Sequence, residues 1–269
     1  MRKVQHCLTE KIGKVTGGRT IWNVRYADDT TIVANSKEEM EDIAEKLRQA
    51  SEEMGLLINN TKTITMTIHG NGNVNINGQT ISTVEKFKYL GSYIAQDGDS
   101  TADIKARFGQ ARSIAASLSE IWKSSDLNKQ LKVQLAKTLV WSVALYGCET
   151  WTLRKAEERM INVFEMWLWR RVLRVSWTQR RTNEWVRRKI GIAEEKGMLN
   201  HVKERKLKKY GHWKRRGDSL VLATIEGEVC EKSKPGRRKT EWISNILDWR
   251  GGINRARRAA WEKNANGPP

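Results

Sequence analysis

The sequence has little cysteine: three residues in 269, at positions 7, 148 and 230. So odd and widely spaced a set argues against a disulfide framework and for a reducing, intracellular compartment. No cysteine pair has metal-ligand spacing, and the four histidines do not cluster with them, which argues against a zinc site. Long apolar runs are missing as well. Nothing approaches the roughly 18 residues that a membrane span needs, and the N-terminus lacks the apolar core of a signal peptide. There is no internal repeat. Acidic residues are scarce only in the back half: residues 1–150 carry 19 basic and 17 acidic side chains, residues 151–269 carry 30 and 14. The net charge of +18 therefore sits almost wholly after residue 150 and favours a polyanionic partner, nucleic acid before anionic membrane.

What is present falls into three stretches. Ile21 to Asn35, "IWNVRYADDTTIVAN", reads as two short strands around Ala27-Asp28-Asp29. Ser36 then opens "SKEEMEDIAEKLRQASEEMG", with Glu39 three residues on, the pattern of a capping box. Met40, Ile43, Ala44, Leu47, Ala50 and Met54 recur at helical spacing, and Gly55 suits the helix end. The Ile-, Thr- and Val-rich run that follows is broken at Gly72 and at Asn77-Gly78, the latter a hairpin signal. Strands meeting a helix without regular βαβ alternation indicate α+β. From Thr101 the chain turns helical. Ile104, Phe108, Ala111, Ala115, Leu118 and Trp122 mark one face. Leu127, Leu131, Leu135 and Leu139 mark the next helix. "KAEERMINVFEMWLWRRVLRV" is apolar on one side and basic on the other. "TNEWVRRKI", "MLNHVKERKLKKY" and "TEWISNILDW" are shorter helical pieces. The expected domains are 1–98, 99–150 and 151–269.

Adjacent acids at a hairpin tip admit two readings. Aspartate is common in turns because it accepts local backbone hydrogen bonds. Alternatively, two carboxylates on a rigid hairpin suit Mg²⁺, a hard cation that takes oxygen ligands. A pair of such ions about 3.5–4 Å apart supports phosphoryl transfer, given a further carboxylate from a neighbouring strand.

"YADD" between apolar strands resembles the palm hairpin of reverse transcriptases. "GLLINNTKTITM" resembles the motif that follows it, and "FKYLGSYIAQDGD" the primer-grip segment. "LYGCETWTL", "FEMWLWRRVLRVSWTQRRTNE", "YGHWKRRGDSL" and "KPGRRKTEWISNI" resemble the thumb and C-terminal region of RTE-type non-LTR retrotransposon polyproteins. The resemblance runs along nearly the whole chain in order. It implies a partial palm, a helical thumb and a basic helical C-terminal region. The implied partners are an RNA template and a DNA primer or target, with Mg²⁺ as cofactor. Asp28 is the implied metal ligand, with Asp29 its less direct partner, and Lys62 lies near the incoming triphosphate. Tyr26 and Ala27 line the nucleotide and primer end. Tyr89, Leu90 and Gly91 match the primer-grip turn. The family's first catalytic aspartate lies upstream of the hairpin, whereas Glu10 is the sole acid before Tyr26 here. The expectation is a C-terminal fragment that is inactive alone. A non-catalytic nucleic-acid-binding protein or a decayed transposon product are the alternatives.

Nine of the twelve tryptophans lie from Trp151 onward, among the basic residues. Such interleaving can grip phosphates and stack on bases, or Trp151, Trp167, Trp169 and Trp177 can be the core of a helical domain with a basic skin. The basic clusters favour nucleic-acid contact, since like charges packed so densely repel without a polyanion. They are Arg170, Arg171 and Arg174; Arg180 and Arg181; Arg187, Arg188 and Lys189; Lys203, Arg205, Lys206, Lys208 and Lys209; Lys214, Arg215 and Arg216; and Arg237, Arg238 and Lys239. The last also matches a nuclear-import patch.

Overall fold

The computed structural model describes residues 13–16, 19–68, 73–192, 196–217, 219–226 and 240–250. In chain order the elements are β1 (Lys14–Thr16), β2 (Arg19–Ile21), β3 (Asn23–Tyr26), β4 (Asp29–Ile32), α1 (Lys37–Glu52), β5 (Ile64–Thr65), β6 (Asn75–Ile76), β7 (Gln79–Thr80), β8 (Ser82–Thr83), β9 (Lys86–Tyr89) and β10 (Ser92–Ala95). Helices follow: α2 (Thr101–Ser117), α3 (Ser119–Lys123), α4 (Lys129–Leu135), α5 (Lys155–Val172), α6 (Asn183–Ile190), α7 (Met198–Arg216), α8 (Ser219–Glu226) and α9 (Trp242–Arg250). The mixture is α+β, and the chain forms two compact units.

The first unit holds residues up to Lys88 together with Ala95–Gly98 and Asp218–Gly236. Its helix α1 starts where the sequence indicates. Ser36 is extended, and its Oγ accepts the Glu39 N–H at 3.1 Å. The reciprocal half of the box does not form. Glu39 instead accepts the N–H groups of Asn35 at 2.7 Å and Gly13 at 2.6 Å, tying the preceding segment to the helix. Ile43, Ala44 and Leu47 are buried, whereas Met54 lies beyond the helix end and is 48% exposed. Val74, Ile76 and Ile81 complete a small core with Ala44. Asn77 and Gly78 both have positive φ, as a two-residue type I′ hairpin between β6 and β7 requires. Among the described residues every sheet is two-stranded.

The second unit holds Tyr89–Ile94, Asp99–Gly217 and Arg237–Pro269. One apolar core runs from Ile104 to Val202. The expected α2–α3 stripe is buried at Ile104, Phe108, Ala111, Ala115 and Trp122. Phe108 stacks on Phe164 of α5 with ring centroids 4.3 Å apart. The next helix keeps the expected face only in part. Leu131 and Leu139 are each 39% exposed, while Ala136, Val140, Trp141 and Ala144 point inward. Leu135 still packs against the core, but after α4 the chain winds as a π-helix over Ala136–Trp141, and the longer turn brings Val140 rather than Leu139 onto the buried face. Trp151 and Trp169 are core residues, Trp167 is partly buried against them, and Trp177 lies outside the described side chains.

Candidate active-site hairpin and basic surface

Strands β3 and β4 pair in antiparallel register with Tyr26 opposite Asp29, which leaves Ala27 and Asp28 as a two-residue turn. Ala27 sits at φ +52°, a left-handed conformation that costs an L-residue roughly 1–2 kcal/mol. Asp28 is at the tip and Asp29 is the first residue of β4; both are exposed, as is Tyr26 at 64%. Lys62 is also exposed. Its backbone N–H donates to the Asn59 carbonyl and to Asn59 Oδ1, each at 3.1 Å, so an Asn-based turn sets its position. Among the described residues no hydrogen bond or ion pair joins Lys62 to either aspartate, and no group of three His, Cys, Asp or Glu side chains is placed to hold a metal ion. The hairpin thus supplies two hard oxygen ligands, but not the further carboxylate that a two-ion centre needs. Among the described residues, therefore, this donor set does not complete a two-metal site.

The Tyr89–Gly91 turn is more elaborate than the sequence suggests. Leu90 and Gly91 have φ of +47° and +87°, a type I′ pattern with leucine where glycine or asparagine is usual. Two residues of the second unit hold it. Tyr146 Oη donates to the Leu90 carbonyl at 3.3 Å, and the Arg107 guanidinium donates to the Gly91 carbonyl. Arg107 lies 4.4 Å over the Tyr146 ring and 3.7 Å from Asp103 Oδ1. Asp103 in turn accepts the Tyr93 N–H at 2.9 Å and Trp151 Nε1–H at 2.8 Å. Sequence reasoning missed Asp103, Arg107 and Tyr146. The only local signal was Asp103 and Arg107, four residues apart on one helix.

Most of the described basic residues in these clusters lie at the surface, including Arg171, Arg180, Arg188, Lys189, Lys208 and Arg216. Several have internal work. Arg170 donates to Asn183 Oδ1 at 2.8 Å, Arg174 to the Lys123 carbonyl at 3.3 Å, and Arg205 to the Leu145 carbonyl at 3.0 Å. Arg181 covers the Trp185 ring at 4.9 Å, and Lys209 covers Trp213 at 5.5 Å. Lys214 and Arg215 are half-buried, and Arg237, Arg238 and Lys239 lie outside the described residues.

Lys206 corrects the sequence reading. It is fully buried, so it cannot touch phosphate. Its Nζ donates to the Trp151 carbonyl at 2.6 Å and Asn245 Oδ1 at 2.9 Å, and faces the rings of Trp242 at 4.5 Å and Trp249 at 5.3 Å. Burial pushes its ammonium down to about 7. Asn245 also donates to the Leu153 carbonyl and accepts the Leu153 N–H, so α9 docks on Lys206 and on the 151–153 segment. The periodicity carried this signal: Met198, Val202, Lys206 and Tyr210, four residues apart, form the buried stripe of α7. The buried Cys148 thiol, raised to about 12 chiefly by desolvation, is inert rather than nucleophilic.

The family described as reverse transcriptase (RNA-dependent DNA polymerase) matches residues 2–94, a span that includes the β3–β4 hairpin, Lys62 and the Leu90-Gly91 turn. A transposon-derived protein of Caenorhabditis elegans is 30% identical over 238 residues, covering 85% of this chain and 85% of its own length. No helix among the described residues is long and apolar enough to cross a membrane.

Proposed function

The chain belongs to the transposon-derived proteins with a reverse transcriptase domain, and from that premise we propose that it is the palm-to-C-terminus portion of an RTE-like non-LTR retrotransposon polymerase. The observation that supports a polymerase palm is the Ala27-Asp28 turn with Asp29 leading β4, inside the span that matches the family. In this reading Tyr26 and Ala27 face the nucleotide and primer end, Lys62 the triphosphate, and Tyr89–Gly91 the primer. Asp28 and Asp29 alone do not complete a two-metal centre, so residues 1–269 by themselves do not extend a primer. The test is a Mg²⁺-dependent extension assay on a DNA primer annealed to an RNA template. Background-level synthesis is expected. Robust extension that Asp28→Ala abolishes would overturn this reading.

A second reading rests on a separate observation. The charge after residue 150, much of it exposed, supports reading this chain as a nucleic-acid-binding protein whether or not it polymerises. Phosphate contacts carry no base information, so this component is sequence-independent. With about six phosphates neutralised, log K falls against log[salt] with a slope of roughly −4 to −5. Lys208→Ala with Lys209→Ala should flatten that slope by about 1.5 if both touch phosphate. Anisotropy titrations of the full chain at several salt concentrations measure this. Salt-independent binding would refute it.

A further inference from the structure

Two of the basic residues, Arg187 and Lys203, meet at a pocket of about 190 Å³ in the second unit, bounded by α5, α6 and α7. Asn162, Glu165, Trp169 and Leu199 are among its other walls. Pockets for drug-sized ligands span about 300–1,000 Å³, so this one takes a fragment the size of one planar ring system. Glu165 is 3% exposed, and Trp169 Nε1 donates to its Oε1 at 3.1 Å. The Met198 backbone N–H also bonds to it. An ionised carboxylate has about four acceptor positions, so roughly two remain for a ligand. Desolvation raises the Glu165 carboxyl above its ordinary value, and the bonds from Trp169 and Met198 and the nearby charge of Arg187 offset this only in part, so donors from a ligand would hold it ionised. Lys203 Nζ lies 3.7 Å from Glu158 Oε1 and 5.2 Å from the Trp249 ring. The Asn162 side chain makes no hydrogen bond to the other described residues.

A ligand for these walls needs two adjacent N–H donors for Glu165, acceptors on another edge for Arg187, Lys203 or Asn162, and a polyanionic backbone to suit the surrounding charge. A guanine base in a nucleic-acid strand meets all three: N1–H and N2–H₂ adjoin on one edge, O6 and N7 are acceptors that arginine and lysine commonly bond, and the phosphate backbone supplies the charge. Adenine presents an unprotonated N1 to the carboxylate, and pyrimidines offer one donor group at most to each carboxylate edge. We propose that this pocket captures one unpaired guanine base of a single-stranded RNA or DNA, adding a single-base preference to the phosphate contacts. The proposal rests on the nucleic-acid-binding reading.

The test uses the full chain and labelled oligouridines of about twelve nucleotides, each with one central guanosine, inosine, adenosine or uridine, titrated by anisotropy at fixed salt. Guanosine is expected to bind about tenfold tighter than adenosine or uridine, the span of one bidentate pair. Inosine, which lacks the N2 amino group, should fall between them. Glu165→Gln should bring the guanosine-to-uridine ratio close to one. The wild-type base series stands without any variant, so misfolding of Glu165→Gln cannot decide the matter. Equal binding of all four oligomers would overturn the pocket and leave the phosphate reading intact. No binding of any would overturn both. A guanosine preference that survives a folded Glu165→Gln would overturn the assignment to this carboxylate.

Discussion

Replacing Lys206 isolates what a buried ammonium does to the second unit. Burial pushes its ammonium from the ordinary 10.5 down to about 7 in the folded chain. Between those values the unfolded chain binds the proton and the folded chain does not. Stability therefore rises as pH increases from about 7 to about 10.5 and is level outside that window. Full linkage over 3.5 units gives at most about 5 kcal/mol. The Trp242 and Trp249 rings at 4.5 and 5.3 Å favour the cation, by about 1 kcal/mol or more each when desolvated, which lowers the expected gain to about 2–3 kcal/mol.

Lys206→Met removes the titration but keeps most of the volume. At pH 7 it relieves the buried charge and leaves the Trp151 carbonyl without its donor, an effect of about 1–3 kcal/mol in the opposite sense. The variant should therefore lie close to wild type at pH 7 and about 2 kcal/mol below it at pH 10. Lys206→Ala adds a cavity and should be less stable throughout by about 2–5 kcal/mol, on the scale of a buried Met→Ala change. Urea titrations followed by tryptophan fluorescence at constant ionic strength report this unit, since Trp122, Trp141, Trp151 and Trp169 are buried in its core. A wild-type-minus-Met difference that stays flat, or shrinks, from pH 7 to 10 would refute the reasoning.

The Leu90-Gly91 turn predicts a graded pair: Tyr146→Phe removes one hydrogen bond and should cost about 1 kcal/mol in a urea titration, whereas Arg107→Met removes both the ion-pair partner of the buried Asp103 and the donor to the Gly91 carbonyl and should cost about 3–5 kcal/mol. Equal effects would contradict the roles given to the two side chains. Glu157 is driven down to about 2: burial opposes its ionisation, but bonds from Arg154 and Thr101 overcome that. Its contribution is present above about 4.5 and is lost as pH falls towards 2, so Glu157→Gln should remove on the order of 2 kcal/mol at pH 6 and little at pH 2, read from acid-unfolding curves.

The parts of the fold that were legible in the sequence are those set by local chemistry. The Ser36 cap, the Asn77-Gly78 hairpin and the two-strand frame around Asp28-Asp29 each depend on residues within a few positions of one another. The Ala136–Ala144 stretch was misread because a π-turn after Leu135 changes the period on which face assignment rests. Helix α8 was not anticipated. Asp103 and Trp151 are 48 residues apart, and no periodicity links them. Lys206 was misassigned for a different reason: charge clustering was weighed above helical spacing, although Met198, Val202 and Tyr210 already placed position 206 on the inner stripe.

That correction alters how the positive charge should be counted. A run such as Lys203 to Lys209 reads as one cluster, but helical geometry sends its members in different directions. Lys206 points into the core, Lys203 lies beside Glu158 and Trp249, and Arg205 is bonded to the Leu145 carbonyl. Lys208 and Lys209 remain on the outer face. Only groups that gain a phosphate without losing an internal partner contribute fully to counterion release, so the salt slope counts exposed cations rather than basic residues in sequence. Lys206→Met should therefore leave the slope unchanged at pH 7, while Lys208→Met flattens it by about 0.7–0.9 if that side chain touches phosphate. A cut at residue 150 cannot make this distinction, because it would divide the core that joins Ile104 to Val202. Point substitutions keep that core whole, and a slope that responded equally to Lys206 and Lys208 would mean that α7 turns its inner stripe outward to meet nucleic acid.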